Sequence, residues 1–312
     1  MIGIQSIGTY IPEDRIDNRQ RTEQFEVDET FLSEKTGALR LAVKADDEET
    51  SDLCCKAFYN LQSKTGLRAE EVECAVVCTQ NPDHHGLPHT SAIVHAKLGL
   101  PESCPVFDIS LGCSGFVYGL SIIQGFMQAN GFRKGVLFTA DPYSKIIDEQ
   151  DKNTSLLFGD GATATLIGDT PVWRSGKFLF GSQGKESSSI RVGKDSGKLS
   201  MNGRAVFSFS ATVVPKNITA MLAANQLTVQ DVDLFALHQG SRYIIDTLRK
   251  KLDIEERKAP FVAFDYGNTV SSSIPLILSD LDPDARKVIV IAGFGVGLSW
   301  ASTVLFKVDQ GK

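Results

Sequence analysis

Val106-Phe107-Asp108-Ile109-Ser110-Leu111-Gly112-Cys113-Ser114-Gly115-Phe116 passes from a short strand-forming run, through a Ser-Leu-Gly turn, into a helix that carries no charge as far as Phe132. A strand that hands over to a helix this abruptly is the building unit of an α/β sheet. Its neighbours repeat the unit. Upstream, a helix begins at the N-cap residues Thr50 or Ser51, runs to about Lys64 and is closed by Gly66, and Cys74-Ala75-Val76-Val77-Cys78 then reads as a buried strand. Downstream, Gly135-Val136-Leu137-Phe138-Thr139 is a second buried strand, and the Asp160-Gly161 turn leads into a small-residue strand from Thr163 to Ile167.

The same order recurs later in the chain. Leu234-Phe235-Ala236-Leu237-His238 matches the Cys74 to Cys78 strand, and Phe264-Asp265-Tyr266-Gly267-Asn268 with the apolar helix after it matches Phe107-Asp108 and the Cys113 helix. Lys287 to Ala292 echoes Lys134 to Thr139, and Leu298 to Lys307 echoes the Thr163 strand. The polar stretch from Gly181 to Lys198 reads as a loop or hairpin excursion. The pattern predicts an α/β protein made of two duplicated halves, 1–170 and 171–312.

Composition bounds the function. With 312 residues, 42% hydrophobic and 22% charged, the chain can bury a sizeable core without disulfides or metals. A net charge of -6 with no basic block argues against nucleic acid as a partner. No cationic segment followed by a long apolar run opens the sequence, so a cytoplasmic location is the expectation. Two uncharged stretches, Leu111 to Phe132 and Val288 to Phe306, are long enough to suggest membrane spans, but their Gly and Ser content and Gln124, Gln128 and Asn130 favour buried core. All six cysteines lie in the first 113 residues without a C-x-x-C pair, which disfavours zinc and disulfide frameworks.

Among those cysteines Cys113 stands out, flanked by glycines at the start of a helix, where backbone N–H groups and the helix dipole are expected to favour a thiolate. Tight packing is the plain alternative. His84, His85, His89 and His95 gather with Asp83, either as a metal site or as a loop lining a pocket, and their spacing matches no common ligand motif. His238 instead ends an apolar strand, a position that faces the crevice at the carboxyl ends of α/β strands. Asn268 occupies the duplicated counterpart of the Cys113 turn. A thiol joined by an imidazole and a carboxamide fits acyl-thioester chemistry, because both side chains can donate to an oxygen that gains charge.

Asp108 to Phe116, His238-Gln239-Gly240-Ser241, Gly267-Asn268-Thr269 and Gly293-Phe294-Gly295-Val296-Gly297-Leu298-Ser299-Trp300 together resemble the ketoacyl-ACP synthase III family of the thiolase superfamily. Phe158-Gly159-Asp160-Gly161-Ala162 and Gly203-Arg204-Ala205-Val206-Phe207 look like further signatures of it. The resemblance implies a thiolase-like fold of five αβαβα layers, a homodimer, and acyl-CoA and acyl carrier protein as substrates. It implies no metal or organic cofactor, no nucleic acid and no membrane. Cys113 would take an acyl group, malonyl-ACP would lose CO2, and His238 with Asn268 would stabilise the resulting enolate, which attacks the acylated sulfur. Backbone N–H groups of Cys113 and Val296 would form the oxyanion hole.

The departures from the family pattern carry their own expectations. Phe31 and Lys35 stand where Trp and Arg commonly meet the CoA adenine, and Lys152 where another Arg is common, which weakens stacking and forked contacts and favours a carrier protein as donor. Arg242 sits one position earlier than the usual carrier-binding Arg. Val296 replaces the middle glycine of a triple, and Leu87 replaces a Phe that often limits the acyl tunnel from across the dimer, so a primer longer than acetyl is expected. Two other functions keep the same residues: acyl transfer to a non-malonyl acceptor, and a non-catalytic partner in a heterodimeric synthase.

Overall fold

The computed structural model describes residues 2–282 and 285–309. The first half runs β1 (Gly3–Tyr10), the small pair β2 (Arg15–Asp17) and β3 (Arg40–Ala42) with the single turn α1 (Thr22–Phe25) between them, α2 (Thr50–Thr65), β4 (Cys74–Cys78), α3 (Thr90–Leu98), β5 (Val106–Ile109), α4 (Gly115–Asn130), β6 (Lys134–Ala140), the short α5 (Lys152–Ser155) and β7 (Ala162–Gly168). The second runs β8 (Trp173–Ser175), β9 (Leu179–Ser182), the hairpin β10 (Ile190–Val192) and β11 (Leu199–Met201), α6 (Gly203–Ala224), β12 (Leu234–Leu237), α7 (Arg242–Leu252), α8 (Ser273–Ser279), β13 (Val288–Gly295) and β14 (Ser299–Lys307).

Both halves use one pairing scheme. β4 lies parallel to β6, which lies antiparallel to β7. In the same way β12 lies parallel to β13, which lies antiparallel to β14. The first set continues through β1, whose Ile4 bridges to β8, and β8 pairs in turn with β14, so the strands join in the order β12-β13-β14-β8-β1-β7-β6-β4-β5. α2 begins one residue earlier than the sequence suggests, on Glu49, whose side chain caps the Asp52 N–H while the Asp52 carboxylate takes the Glu49 N–H, and Gly66 closes it with φ +70.

The layers follow from what each helix touches. α2 and α3 cover the outer face of the first set of strands, and α6 and α7 that of the second, while α4 and α8 lie between the sets and pack on both. Three cores result. One lies under α2, one under α6 and α7, and the middle one unites Phe116, Leu120 and Ile123 of α4 with Ile274 and Ile277 of α8, Val76 of β4 and Ile289 of β13. The two uncharged stretches are therefore α4, which buries one face and exposes Ile122 and Gln128 to Asn130 on the other, and the largely buried β13–β14 pair. α6 is the one helix among the described residues long and apolar enough to cross a membrane, and it packs on α7, β13 and β14.

One expected strand does not form. Phe264 to Tyr266 is a turn, because its carbonyls are consumed elsewhere: Leu39 and Arg40 donate to Phe264 O at 2.9 and 3.1 Å, and Ala42 donates to Tyr266 O at 3.1 Å. Among the described residues the second half thus has no equivalent of β5, and β12 is its edge.

Candidate active site

Cys113, His238 and Asn268 line one cavity of about 370 Å³. The three side chains come from different elements and both halves. Cys113 ends the turn between β5 and α4, His238 follows β12 directly, and Asn268 precedes the turn that opens α8. All are buried, with 6%, 3% and 5% of their surface exposed.

The Cys113 turn is held close to the end of β13. A side chain at Gly293 would strike the Cys113 carbonyl at 2.6 Å, and one at Gly295 would meet the sulfur at 2.7 Å, so only glycine permits this approach. Backbone N–H groups of Val296 and of Cys113 itself face the sulfur and favour its charge, yet burial outweighs them and pushes the thiol up to about 12. This reverses the expectation of a thiolate. The dipole of α4 is a local feature legible in sequence, whereas the apolar closure that defeats it is tertiary. The resting sulfur is a protonated thiol backed by two donors.

Asn268 is fixed by its backbone and its side chain. Its N–H donates to Leu157 O at 2.8 Å, its carbonyl accepts from Gly159 at 3.1 Å, and its Oδ1 accepts from the Val270 N–H at 2.9 Å. With Oδ1 committed, the amide presents its NH2 as the group able to donate. Val270 adopts φ +52 to make this contact, a left-handed conformation that a β-branched residue avoids.

Three serines follow Val270, and each holds a different piece. Ser271 Oγ donates to Asp141 Oδ2 at 2.6 Å, Ser272 Oγ donates to the carbonyls of Thr139 and Gly161 at 3.0 and 3.2 Å, and Ser273 Oγ lies 2.8 Å from Nδ1 of His238. Asp141, wholly buried, also accepts from the Gln80 N–H at 2.7 Å, and burial raises it to about 6 against those hydrogen bonds. His238 stands edge-on to Phe294 with ring centres 5.5 Å apart, and burial drives it down to about 3, so the imidazole is neutral. Sequence reading passed over Asp141 and Ser273. The run of serines after Asn268 was the available signal, since hydroxyls rarely cluster in a buried turn without partners.

Of the other candidates, Phe31, Lys35 and Lys152 line the same cavity at its mouth. Lys152 Nζ sits over the Phe31 ring at 5.1 Å, and Lys35 Nζ over Tyr243 at 3.9 Å, with Tyr243 stacked on Phe207 at 4.9 Å. Arg242 and Leu87 do not line it. Arg242 begins α7 beside Asp246 at 3.8 Å in a shallow surface depression, and Leu87 is 86% exposed on the loop between β4 and α3. The histidine cluster plays local parts: His89 caps α3 through the Ala92 N–H, and His95 Nε2 lies 2.9 Å from Pro101 O. Asp83 receives both the N–H and the hydroxyl of Ser51.

The family model for 3-oxoacyl-[acyl-carrier-protein (ACP)] synthase III matches residues 107–184, and its C-terminal counterpart matches residues 222–306. The chain is 32% identical to beta-ketoacyl-[acyl-carrier-protein] synthase III of Streptococcus agalactiae serotype III (strain NEM316), over 97% of this chain and 98% of that protein. A crystal structure of a 3-oxoacyl-(acyl-carrier-protein) synthase III superposes with a TM-score of 0.91 at 32% identity, covering 98% and 99% of the two chains. The priming beta-ketosynthase from the R1128 polyketide pathway superposes at 0.89 with 27% identity, covering 100% and 97%.

Proposed function

Because the chain belongs to the 3-oxoacyl-[acyl-carrier-protein] synthase III family of the thiolase superfamily, we propose that Cys113 is the sulfur that carries the acyl group between two half-reactions. The protein is a condensing enzyme of that type, an acyltransferase of fatty-acid or related polyketide biosynthesis. One observation carries the assignment: a glycine-backed thiol, a neutral imidazole and an oriented carboxamide face one apolar cavity.

In the first half-reaction Cys113 attacks the donor thioester, its proton leaves on the departing thiol, and the carbonyl oxygen takes charge beside the N–H groups of Cys113 and Val296. In the second, malonyl-ACP loses CO2. The enolate oxygen is held by the N–H of His238 and the NH2 of Asn268, interactions that strengthen as the charge forms. The enolate carbon then attacks the acyl carbonyl, and the tetrahedral oxyanion collapses to 3-oxoacyl-ACP and a Cys113 thiolate that takes up a proton. The nucleophile belongs to the half 1–170, and both donors to the enolate belong to the half 171–312.

Phe31, Lys35 and Lys152 would receive the phosphate-bearing arm of acyl-CoA or acyl-ACP at the mouth, and Arg242 would meet the carrier protein on the adjacent surface. Lys35 and Lys152 rest on aromatic faces, which supports their availability to phosphate. A homodimer is supported by β5, an edge strand whose hydrogen-bonding side faces away from β4, and by the exposed Leu87, which would reach a second copy. The reading places the enzyme in the cytoplasm and asks no cofactor of it.

Intact mass after incubation with acyl-CoA and acyl-ACP donors, followed by malonyl-ACP, tests the whole reading. Cys113→Ala should form no acyl-enzyme. His238→Ala and Asn268→Ala should still acylate but release CO2 at least about a hundredfold more slowly. Equal loss of acylation in all three would overturn the division, and acyl transfer without CO2 release would point to a non-malonyl acceptor.

A further inference from the structure

A neutral imidazole carries hydrogen on one nitrogen only, so a ring that donates into a cavity must accept at its other nitrogen. In His238, Nδ1 faces Ser273 Oγ at 2.8 Å, and Nε2 lies beside Gly240, which lines the cavity. Ser273 Oγ is also 3.0 Å from the Val270 carbonyl. Two proton arrangements fit these distances. In one, Nδ1–H donates to the hydroxyl, the hydroxyl donates to Val270, and Nε2 shows a lone pair to the cavity. In the other, the hydroxyl donates to Nδ1 and Nε2 carries the hydrogen. The second leaves no carbonyl orphaned, because the backbone N–H of Ser273 already donates to Val270 O.

We propose that Ser273 is a positioning residue for the condensation: its hydroxyl donates to Nδ1 of His238 and so fixes hydrogen on Nε2, the tautomer able to hold an enolate oxygen. This rests on the reading of His238 as a donor to that oxygen. Neither neighbouring serine can substitute, since Ser271 is committed to Asp141 and Ser272 to Thr139 and Gly161. The Val270 carbonyl already lies within hydrogen-bonding reach of the ring, so without the competing hydroxyl it would draw hydrogen to Nδ1 and turn a lone pair toward the enolate. The edge-on contact with Phe294 keeps the ring in place meanwhile.

The test uses the full chain with 15N-labelled histidine, the His238 signals being assigned by their loss in His238→Asn. Long-range proton–nitrogen spectra should show Nε2 protonated in the wild type and Nδ1 protonated in Ser273→Ala. CO2 release from malonyl-ACP should fall about 10- to 100-fold in Ser273→Ala, with Cys113 acylation within about twofold, and Ser273→Thr should restore it. Hydrogen on Nδ1 in the wild type, or unchanged CO2 release in a Ser273→Ala protein that folds, would overturn the proposal. Should the alanine variant not fold, the wild-type spectrum decides. Unchanged CO2 release in His238→Ala would instead refute the role of His238, while the spectrum still reports on Ser273.

Discussion

A thiol held at about 12 by burial is almost wholly protonated at neutral pH, so its reactivity toward a small alkylating reagent should keep rising with pH. We expect the iodoacetamide labelling rate of Cys113, followed by peptide mass, to climb about tenfold per pH unit from 7 to 10 without a plateau. A plateau below 9 would mean a thiolate at rest. His238 adds a stability effect whose sign is fixed. Its ordinary value of 6.5 falls to about 3 in the folded chain, so between those limits the unfolded chain binds a proton that the folded one does not. Stability from this residue is complete above 6.5 and is lost as pH falls toward 3. In urea titrations, the difference between wild type and His238→Gln should shift by about 2 kcal/mol in favour of the variant between pH 7.5 and pH 5. Asp141 works oppositely, holding a proton in the folded chain between 3.8 and about 6 and losing that contribution as pH rises through the window.

The turn from Asn268 to Ser273 links two halves of the site, and Asp141 is one of its anchors in the first half, beside the Thr139 and Gly161 carbonyls. Asp141→Asn leaves one acceptor where the Gln80 N–H and the Ser271 hydroxyl need two, which should cost about 1–3 kcal/mol in chemical unfolding. Gly295→Ala probes the opposite wall. A methyl 2.7 Å from the sulfur should abolish acylation, read by intact mass, while leaving the circular dichroism spectrum unchanged. Elements with purely local causes were legible in the sequence: β4 begins and ends where its apolar run does, and α2 stops at Gly66. The left-handed Val270 and the missing strand at Phe264 were not, because both are set by partners far along the chain. Cys113, His238 and Asn268 could be picked out because each sits beside a glycine or at a strand end. The sign of the thiol shift could not, since it depends on what closes over it.

α4 and α8 pack on both sets of strands, so neither half owns the middle core. Segments 1–170 and 171–312 expressed separately should therefore lack cooperative unfolding, whereas the whole chain should melt in one transition by calorimetry. Two independent transitions would show that the duplicated halves are autonomous. The burial of the sulfur bears on how the protein meets oxidants. Peroxide attacks sulfur in its anionic form, and Cys113 at rest is protonated and almost wholly buried. Such a nucleophile should react with the thioester whose own arm fills the cavity well before it reacts with dilute peroxide.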